Sequence, residues 1–472
     1  MKRLLIAAAV VVSLALARAP AGAQTVIPVN HLASPRLAAL ERESRGGNRA
    51  APESFWREAA DRGAPLIEPA AGSDKYLLVT FLWRGGEGTK NVLLISTDLH
   101  RLVNEQDVER LRLSRLGGTD VWFKSYRLRR DARVTYRFSP DDPLVPPSRL
   151  KPEDQAKLSE NYRPDPLNPL QLEGESIGEL PDAPPQPWIK KRPGVPEGKL
   201  EERQFKSAIL GNERKLIVYT PADYRAEGRA YPLMLAFTGD YYLRAILPPA
   251  TLDNLIAAGA VPPMIVVGVG SAPGHHIRDL GLYEAFPEFL AKELVPWLRR
   301  EYGVATDPTR TVVAGASIAG LAASFAALKH PELFGNVLSH SGSYWFKPGI
   351  VEKYQRIAAG ETVEDDFAEF GALIKEYVKA PKRPVRFYLE AGLLEDLASH
   401  EPSPWKGSIS LLASNRHFRD VLQAKGYEVH YREFNGGHSA ANWRGAAADG
   451  LIALIGGPGR AGTRRSAVGR AE

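Results

Sequence analysis

Ser317 stands in the segment TVVAGASIAGL (Thr311–Leu321), a short apolar strand that runs straight into a small-residue helix start. That spacing is the local chemistry of a nucleophile elbow, where a serine hydroxyl is held exposed above a sheet edge on a sharp strand-to-helix turn. The turn brings two backbones almost into contact, and Gly315, Ala319 and Gly320 supply the small neighbours it needs. The usual pattern has glycine where Ala319 stands. The bland alternative is an ordinary strand–turn–helix with a capping serine.

A serine hydroxyl attacks an ester only when a neutral imidazole takes its proton, and the imidazole needs a carboxylate to fix its tautomer. The run EFNGGHS presents His438 after the last apolar strand, with Gly436 and Gly437 expected to let the loop turn tightly. His438 is preferred as the base to His340, His400 or His430. The carboxylate comes from the region after the strand RFYLEA, where Glu395 is the choice and Asp396 the runner-up, with Glu390 expected inside the strand. If both loop carboxylates were solvated, a serine–histidine dyad would remain. The oxyanion donors expected are the main-chain N–H groups of Ile318 and of Asp240, the latter just after the strand that carries Phe237. The chain order serine, acid, histidine is that of an α/β-hydrolase.

These residues need a sheet to hold them. From about Leu200 onward, apolar runs alternate with helical stretches: RKLIVYTP, YPLMLAF, PMIVVGV, TVVAGA, GNVLSHS, RPVRFYLEA and YEVHYREF. That rhythm predicts a mainly parallel sheet covered by helices, with ligands at the carboxyl ends of its strands. Phe289, Leu290, Leu294, Trp297 and Leu298 share one helical face, and Pro296 is expected to kink that helix. Between Tyr76 and Phe138 the runs are short, aromatic and broken by Gly, Asp and Asn, which predicts a small all-β sandwich. A short amphipathic helix is expected over residues 50–63.

Lys2 and Arg3, the apolar stretch Leu4–Ala17 and the small residues Ala21-Gly22-Ala23 predict a cleavable secretory signal, too short to span a bilayer comfortably. Its loss lowers the formal charge from +6 to +3, with 58 basic residues left against 55 acidic ones. So mild a balance argues against a nucleic-acid partner. No later run is apolar enough for a membrane span. The chain has no cysteine, which excludes thiol enzymes, cysteine-ligated metal sites and disulfide scaffolds. The expected organisation is a signal over residues 1–23, a β-sandwich domain over 24–140 and a proline-rich linker over 141–198. An α/β-hydrolase domain follows over 199–456, then a flexible basic tail over 457–472.

Taken together, the chain resembles the enterochelin esterase family, ferric-siderophore hydrolases with an α/β-hydrolase domain. GAPLIEP (Gly63–Pro69), VTFLWRG (Val79–Gly85), GGTDVWFKSYRL (Gly117–Leu128) and DPLNP (Asp165–Pro169) resemble its small β domain and linker. GASIAGL, VLSHSGSYWF (Val337–Phe346), LEAGLLE (Leu389–Glu395) and the GGH at Gly436–His438 resemble its catalytic blocks. The resemblance implies hydrolysis of ester bonds in a catecholate trilactone such as ferric enterobactin, with Ser317 acylated, His438 the base and Glu395 the acid. It implies no cofactor and no catalytic metal; any iron arrives with the substrate. Arg278 in HHIRDLG matches an arginine of the family's R-x-x-E-L stretch and would face an anionic substrate, unless it is a surface or salt-bridged arginine. The glutamate of that stretch is Gly281 here.

Tyr241, Tyr242 and Trp345 are candidates to stack on a flat aromatic substrate, with packing as the alternative. The main expectation is a periplasmic or secreted serine esterase for siderophore-type lactones. A feruloyl or acetyl carbohydrate esterase keeps the mechanism and changes the substrate. A weakly catalytic relative that only binds its ligand is the reading from another class. Nothing in the sequence sets the oligomeric state.

Overall fold

Eight strands of the second half pair into one sheet, labelled here β1 (Lys199–Ser207), β2 (Asn212–Thr220), β3 (Leu233–Phe237), β4 (Ile265–Val269), β5 (Thr311–Ala316), β6 (Asn336–His340), β7 (Arg386–Gly392) and β8 (Glu428–Phe434). Their spatial order is β1-β2-β4-β3-β5-β6-β7-β8. The first two pairings are antiparallel and all the others parallel. This is the α/β-hydrolase sheet. In this computed structural model the described residues are 26–457, except 30, 97, 100–107, 146–149, 226, 228–229, 350–351, 353–370 and 396–409.

Strands β3 to β6 are buried throughout, as parallel strands covered on both faces must be. One face packs on the helix Ile318–Lys329 and on the helical run Ala285–Tyr302; the other packs on the helices Pro249–Ala257 and Ala440–Ile455. Pro296 has the predicted consequence in a particular form. With no N–H to give at that position, the run accommodates a wide turn over Leu290–Leu294 before continuing as Val295–Tyr302. No helix among the described residues is long and apolar enough to cross a membrane.

Two antiparallel sheets in the first half share one core. Leu77, Val79, Phe81, Tyr126 and Leu128 come from the five-stranded sheet, and Val92, Leu94, Val134, Tyr136 and Phe138 from the four-stranded sheet. Phe81 meets Tyr136 edge-on with centroids 4.6 Å apart. The predicted helix is present at Ala51–Arg62, and an unpredicted one, Pro35–Arg45, packs beside it over Leu82 and Val121.

The expected linker over 141–198 is corrected by the structure. Pro152 opens a helix, Pro152–Glu160, at the position where a missing N–H costs nothing. The strands Gln171–Leu172 and Glu175–Glu179 form a hairpin, and the second pairs with Arg133–Tyr136 of the sandwich. The proline-free run between Leu170 and Glu179 allows this, since Glu173 and Gly174 take the positive φ angles of a tight hairpin turn. Asp165 and Asn168 of DPLNP are buried and bond the Tyr136 hydroxyl, at 2.8 and 3.1 Å, which anchors the segment to the sandwich.

Candidate active site

Strand β5 delivers Ser317 with φ 58° and ψ −124°, a conformation that L-residues adopt only when their surroundings impose it. The imposing contact is at Gly315. A Cβ there would fall on the backbone of Ala319 and lie 2.6 Å from the Ala319 methyl. The methyl that departs from the usual pattern is therefore accommodated because Gly315 carries no side chain. The Ser317 N–H donates to the His340 carbonyl at 2.9 Å, and the Ser343 N–H donates to the Ser317 carbonyl at 3.0 Å. The Ser317 hydroxyl lies 3.2 Å from the Ser343 hydroxyl.

Glu395 and His438 meet. Beyond β7 the chain folds back, so that one Glu395 carboxylate oxygen accepts the Gly392 N–H at 2.9 Å. The other lies 2.8 Å from Nδ1 of His438. Glu395 is fully enclosed, whereas the imidazole is about one-third exposed. A buried carboxylate on Nδ1 and an accessible opposite edge are what a general base requires. Among the described residues the hydrogen-bond partner of the Ser317 hydroxyl is Ser343, not His438. Asp396 and His400 lie outside the described residues.

The rival assignments pair with each other. His340 and Glu390, adjacent across β6 and β7, are both buried, with Nδ1 2.7 Å from the carboxylate. Tyr242 is likewise buried, its hydroxyl 3.0 Å from Nε2 of His340, which is the packing alternative weighed for it and leaves no face to a substrate. His430 lies on β8, paired with Glu428 at its exposed surface.

The first-turn N–H of Ile318 has no acceptor within its own helix. Thr238, in the left-handed region, turns the chain so that Gly239-Asp240 start a short helix beside it. This loop rests on the sheet, since a Cβ on Gly268 would lie 2.8 Å from the Gly239 carbonyl oxygen. The Asp240 carboxylate is engaged by Arg244, which also pairs with Glu173 of the first half. Asp240 lies in the first turn of that helix, where a main-chain N–H has no acceptor within the helix.

Arg278 bonds Asp279 at 2.8 Å and lies over the Tyr283 ring, with 40% of its side chain exposed. Asp279 also pairs with the fully buried Arg214, so two guanidinium groups share one carboxylate, and Glu293 adds a second negative charge near Arg214. Gly281 has no room for the glutamate of the family stretch in this backbone: a Cβ would lie 2.8 Å from the Phe346 ring. Tyr241 and Trp345 are partly buried and pack against the two cores of the hydrolase half.

Sequence reasoning missed the side of the site built by the β domain. A Cβ on Gly437 would fall on the carboxylate of Asp98, and one on Gly436 would lie 2.7 Å from the Arg133 carbonyl oxygen. Neither glycine has a positive φ. They are required by close approach, not by a tight turn as expected. The Arg133 N–H donates to the Asn435 carbonyl at 3.0 Å, and Asn442 Nδ2 donates to the Arg133 carbonyl at 3.1 Å. Leu394, beside the acid, is part of the sandwich core.

Asp98 accepts the Thr135 N–H through one oxygen at 2.6 Å, while its other oxygen is buried without a hydrogen-bond partner among the described residues. Burial raises its pKa to about 7, and the nearby Glu175 and Glu395 carboxylates push the same way. An unfolded aspartate titrates near ~4. Between these values the native chain keeps a proton that the unfolded chain has released, so Asp98 costs stability progressively as pH rises through that window. Asp98→Asn keeps an acceptor for Thr135 and removes the ionisation. Its thermal midpoint is expected to fall less than the wild type's between about pH 5 and about pH 8; an unchanged slope would place the titration elsewhere.

The comparisons with known proteins agree with this architecture. Residues 207–454 match the family described as "Putative esterase", and residues 78–189 match the enterochelin esterase N-terminal family. The chain is 30% identical over 428 residues to an iron(III) enterobactin esterase of Dickeya dadantii, covering 85% of this chain and 93% of that one. It is 29% identical over 414 residues to the iron(III) enterobactin esterase of Escherichia coli K12, covering 81% and 92%. The crystal structure of the ferric enterobactin esterase of Salmonella typhimurium superposes with a TM-score of 0.67 at 27% identity, covering 85% of this chain and 98% of that one. The Shigella flexneri enterobactin esterase, crystallised in the presence of enterobactin, gives 0.63 at 28% identity, covering 85% and 97%. The chain belongs to the enterochelin esterase family and is a carboxylic ester hydrolase.

Proposed function

We propose that this protein is a serine esterase that opens the ester bonds of a catecholate siderophore such as ferric enterobactin. The single observation that carries the mechanism is the His438–Glu395 hydrogen bond, set after β7 and β8 of the same parallel sheet whose strand β5 leads into the elbow of Ser317. In the reactive arrangement the Ser317 hydroxyl turns from Ser343 to Nε2 of His438; catalytic hydrogen bonds tighten in this way when substrate binds. The serine oxygen bonds to the ester carbonyl carbon as His438 takes its proton. The negative oxygen of the tetrahedral intermediate sits against the N–H groups of Ile318 and Asp240. The C–O bond to the leaving alcohol breaks as His438 returns the proton. Water repeats the sequence, releasing the acid and restoring Ser317. Glu395 holds the Nδ1 proton throughout and stabilises the transient imidazolium.

The substrate class is supported by relatives named for iron(III) enterobactin and for iron(III) salmochelin. Arg278, the exposed member of the Arg214–Asp279–Arg278 cluster, offers a guanidinium that suits an anionic iron–catecholate complex. Tyr241 and Trp345 are offered as apolar walls for the catechol rings. Lys2, Arg3 and the apolar run after them support export to the periplasm or beyond, so that the enzyme meets its substrate outside the cytoplasm.

The test is incubation of the exported protein with ferric enterobactin and, separately, with a feruloylated oligosaccharide, with products identified by mass spectrometry. Linear and monomeric dihydroxybenzoyl-serine products are expected from the first and little ferulate from the second, with an intact mass lacking the first 23 residues. Release of ferulate alone would end the siderophore assignment; an uncleaved leader would end the export assignment.

A further inference from the structure

We infer that His340 is a positioning residue that fixes the oxyanion loop, the elbow and the base relative to one another. The inference rests on the serine-esterase reading above. His340 closes β6 and reaches all three parts of the site, the elbow and the oxyanion loop directly and the base through Trp443. Through its main chain it accepts the Ser317 N–H at 2.9 Å. Through Nε2 it meets the Tyr242 hydroxyl at 3.0 Å, two residues beyond the oxyanion donor Asp240. Through its ring face it stacks on Trp443, at 6.5 Å and 30°. The same indole meets His438 edge-on at 4.8 Å and 89°, and its N–H donates to the Ser341 hydroxyl at 3.0 Å.

Glu390 holds the remaining ring nitrogen at 2.7 Å, and neither side chain of that pair reaches solvent. With Nδ1 protonated, every member of the set has a partner. The Tyr242 hydroxyl donates to Nε2, and Nδ1–H donates to the Glu390 carboxylate. Burial keeps the Tyr242 phenol protonated, raising its pKa well above the usual value.

A histidine–carboxylate pair in a fully buried place is a poor way to gain stability, because desolvation opposes the attraction between the partners. Its hydrogen bonds are directional, however, and direction is what an oxyanion hole needs. The donor at Asp240 must be held at hydrogen-bond distance, about 3 Å, from the place where negative charge develops. The loop that carries it is tied to the sheet by Tyr242, and Tyr242 is tied to the elbow by His340. Since His340 is buried, it touches neither substrate nor reacting atoms. It acts through the groups it holds.

The test is steady-state kinetics of Tyr242→Phe, His340→Gln, His340→Leu and Ser317→Ala, with active sites counted by fluorophosphonate labelling. Tyr242→Phe removes one oxygen and keeps the ring, so kcat per labelled site should fall about ten- to a hundredfold while KM changes by no more than about twofold. His340→Gln, whose amide reaches toward the Nε2 position, should retain more turnover than His340→Leu. The double variant Tyr242→Phe/His340→Leu should be no slower than His340→Leu alone, since both cut the same link. A Tyr242→Phe enzyme that loses only labelled sites, with normal kcat for those that remain, would reduce the network to a structural role and overturn the inference. That arm decides the matter even if His340→Leu fails to fold. If Ser317→Ala were to keep normal turnover, the serine reading itself would have failed. If it is inactive while Tyr242→Phe is normal, only the positioning role is lost.

Discussion

Ser317→Ala is expected to lower kcat by about five to six orders of magnitude on both ferric enterobactin and p-nitrophenyl acetate, leaving the fold unchanged. The size follows from the proposed role: without the hydroxyl no acyl-enzyme would form, and what would remain is binding and the oxyanion donors. The fold should be indifferent because the change removes one oxygen whose hydrogen bond is to a neighbouring hydroxyl. Nor does it alter the close approach of Gly315 to Ala319 at the elbow, which is made without the Ser317 side chain. Fluorophosphonate labelling should vanish in parallel. Labelling that persisted would move the nucleophile to Ser343, whose hydroxyl is 3.2 Å away, and peptide mapping of the adduct would show this directly.

The second large effect is expected at a residue that performs no chemistry. Gly437→Ala places a methyl group where the Asp98 carboxylate lies, with the Asp98 Cγ at 2.9 Å and Cα at 3.1 Å. Asp98 cannot retreat easily, being buried and bonded to Thr135. The loop must give instead, and the next residue is His438. A displacement of about 1 Å in a catalytic base is enough to cost about a hundredfold in rate. Gly437→Ala should therefore lose at least that much kcat with an unaltered circular dichroism spectrum. Pairing it with Asp98→Ala, which removes the two nearest atoms, should recover part of the loss. Normal kinetics in Gly437→Ala would mean that the contact between the β domain and the histidine loop does not set the position of the base.

The parts of the site that chain order and short-range spacing define were legible from the sequence. The elbow is a local motif, and His438 follows the last strand of a repeated strand–helix rhythm. Glu395 was harder, since Asp396 is its neighbour in the chain, and the return of the loop onto Gly392 that carries Glu395 to His438 is not written in the spacing. Strand β1 escaped notice because it is an edge strand: most of KLEERQFKS faces solvent, so no apolar run marks it. The hairpin at 171–179 was hidden by the prolines on either side. The contact of Asp98 with Gly437 left no signal, because it joins segments more than three hundred residues apart and depends on a docking angle between two folds. The pairing of His340 with Glu390 was equally invisible: each appeared as a rival for a catalytic role, and the strand register makes them partners.

The docking of the sandwich against Asn435, Gly436 and Gly437 has a consequence for how such enzymes diverge. A hydrolase half exchanged for that of a distant relative would meet an unfamiliar surface where its base loop must be seated. The two halves are thus bound to change in concert, and a graft between lineages would need the matching residues at positions 98, 133 and 435–437 carried over as one set.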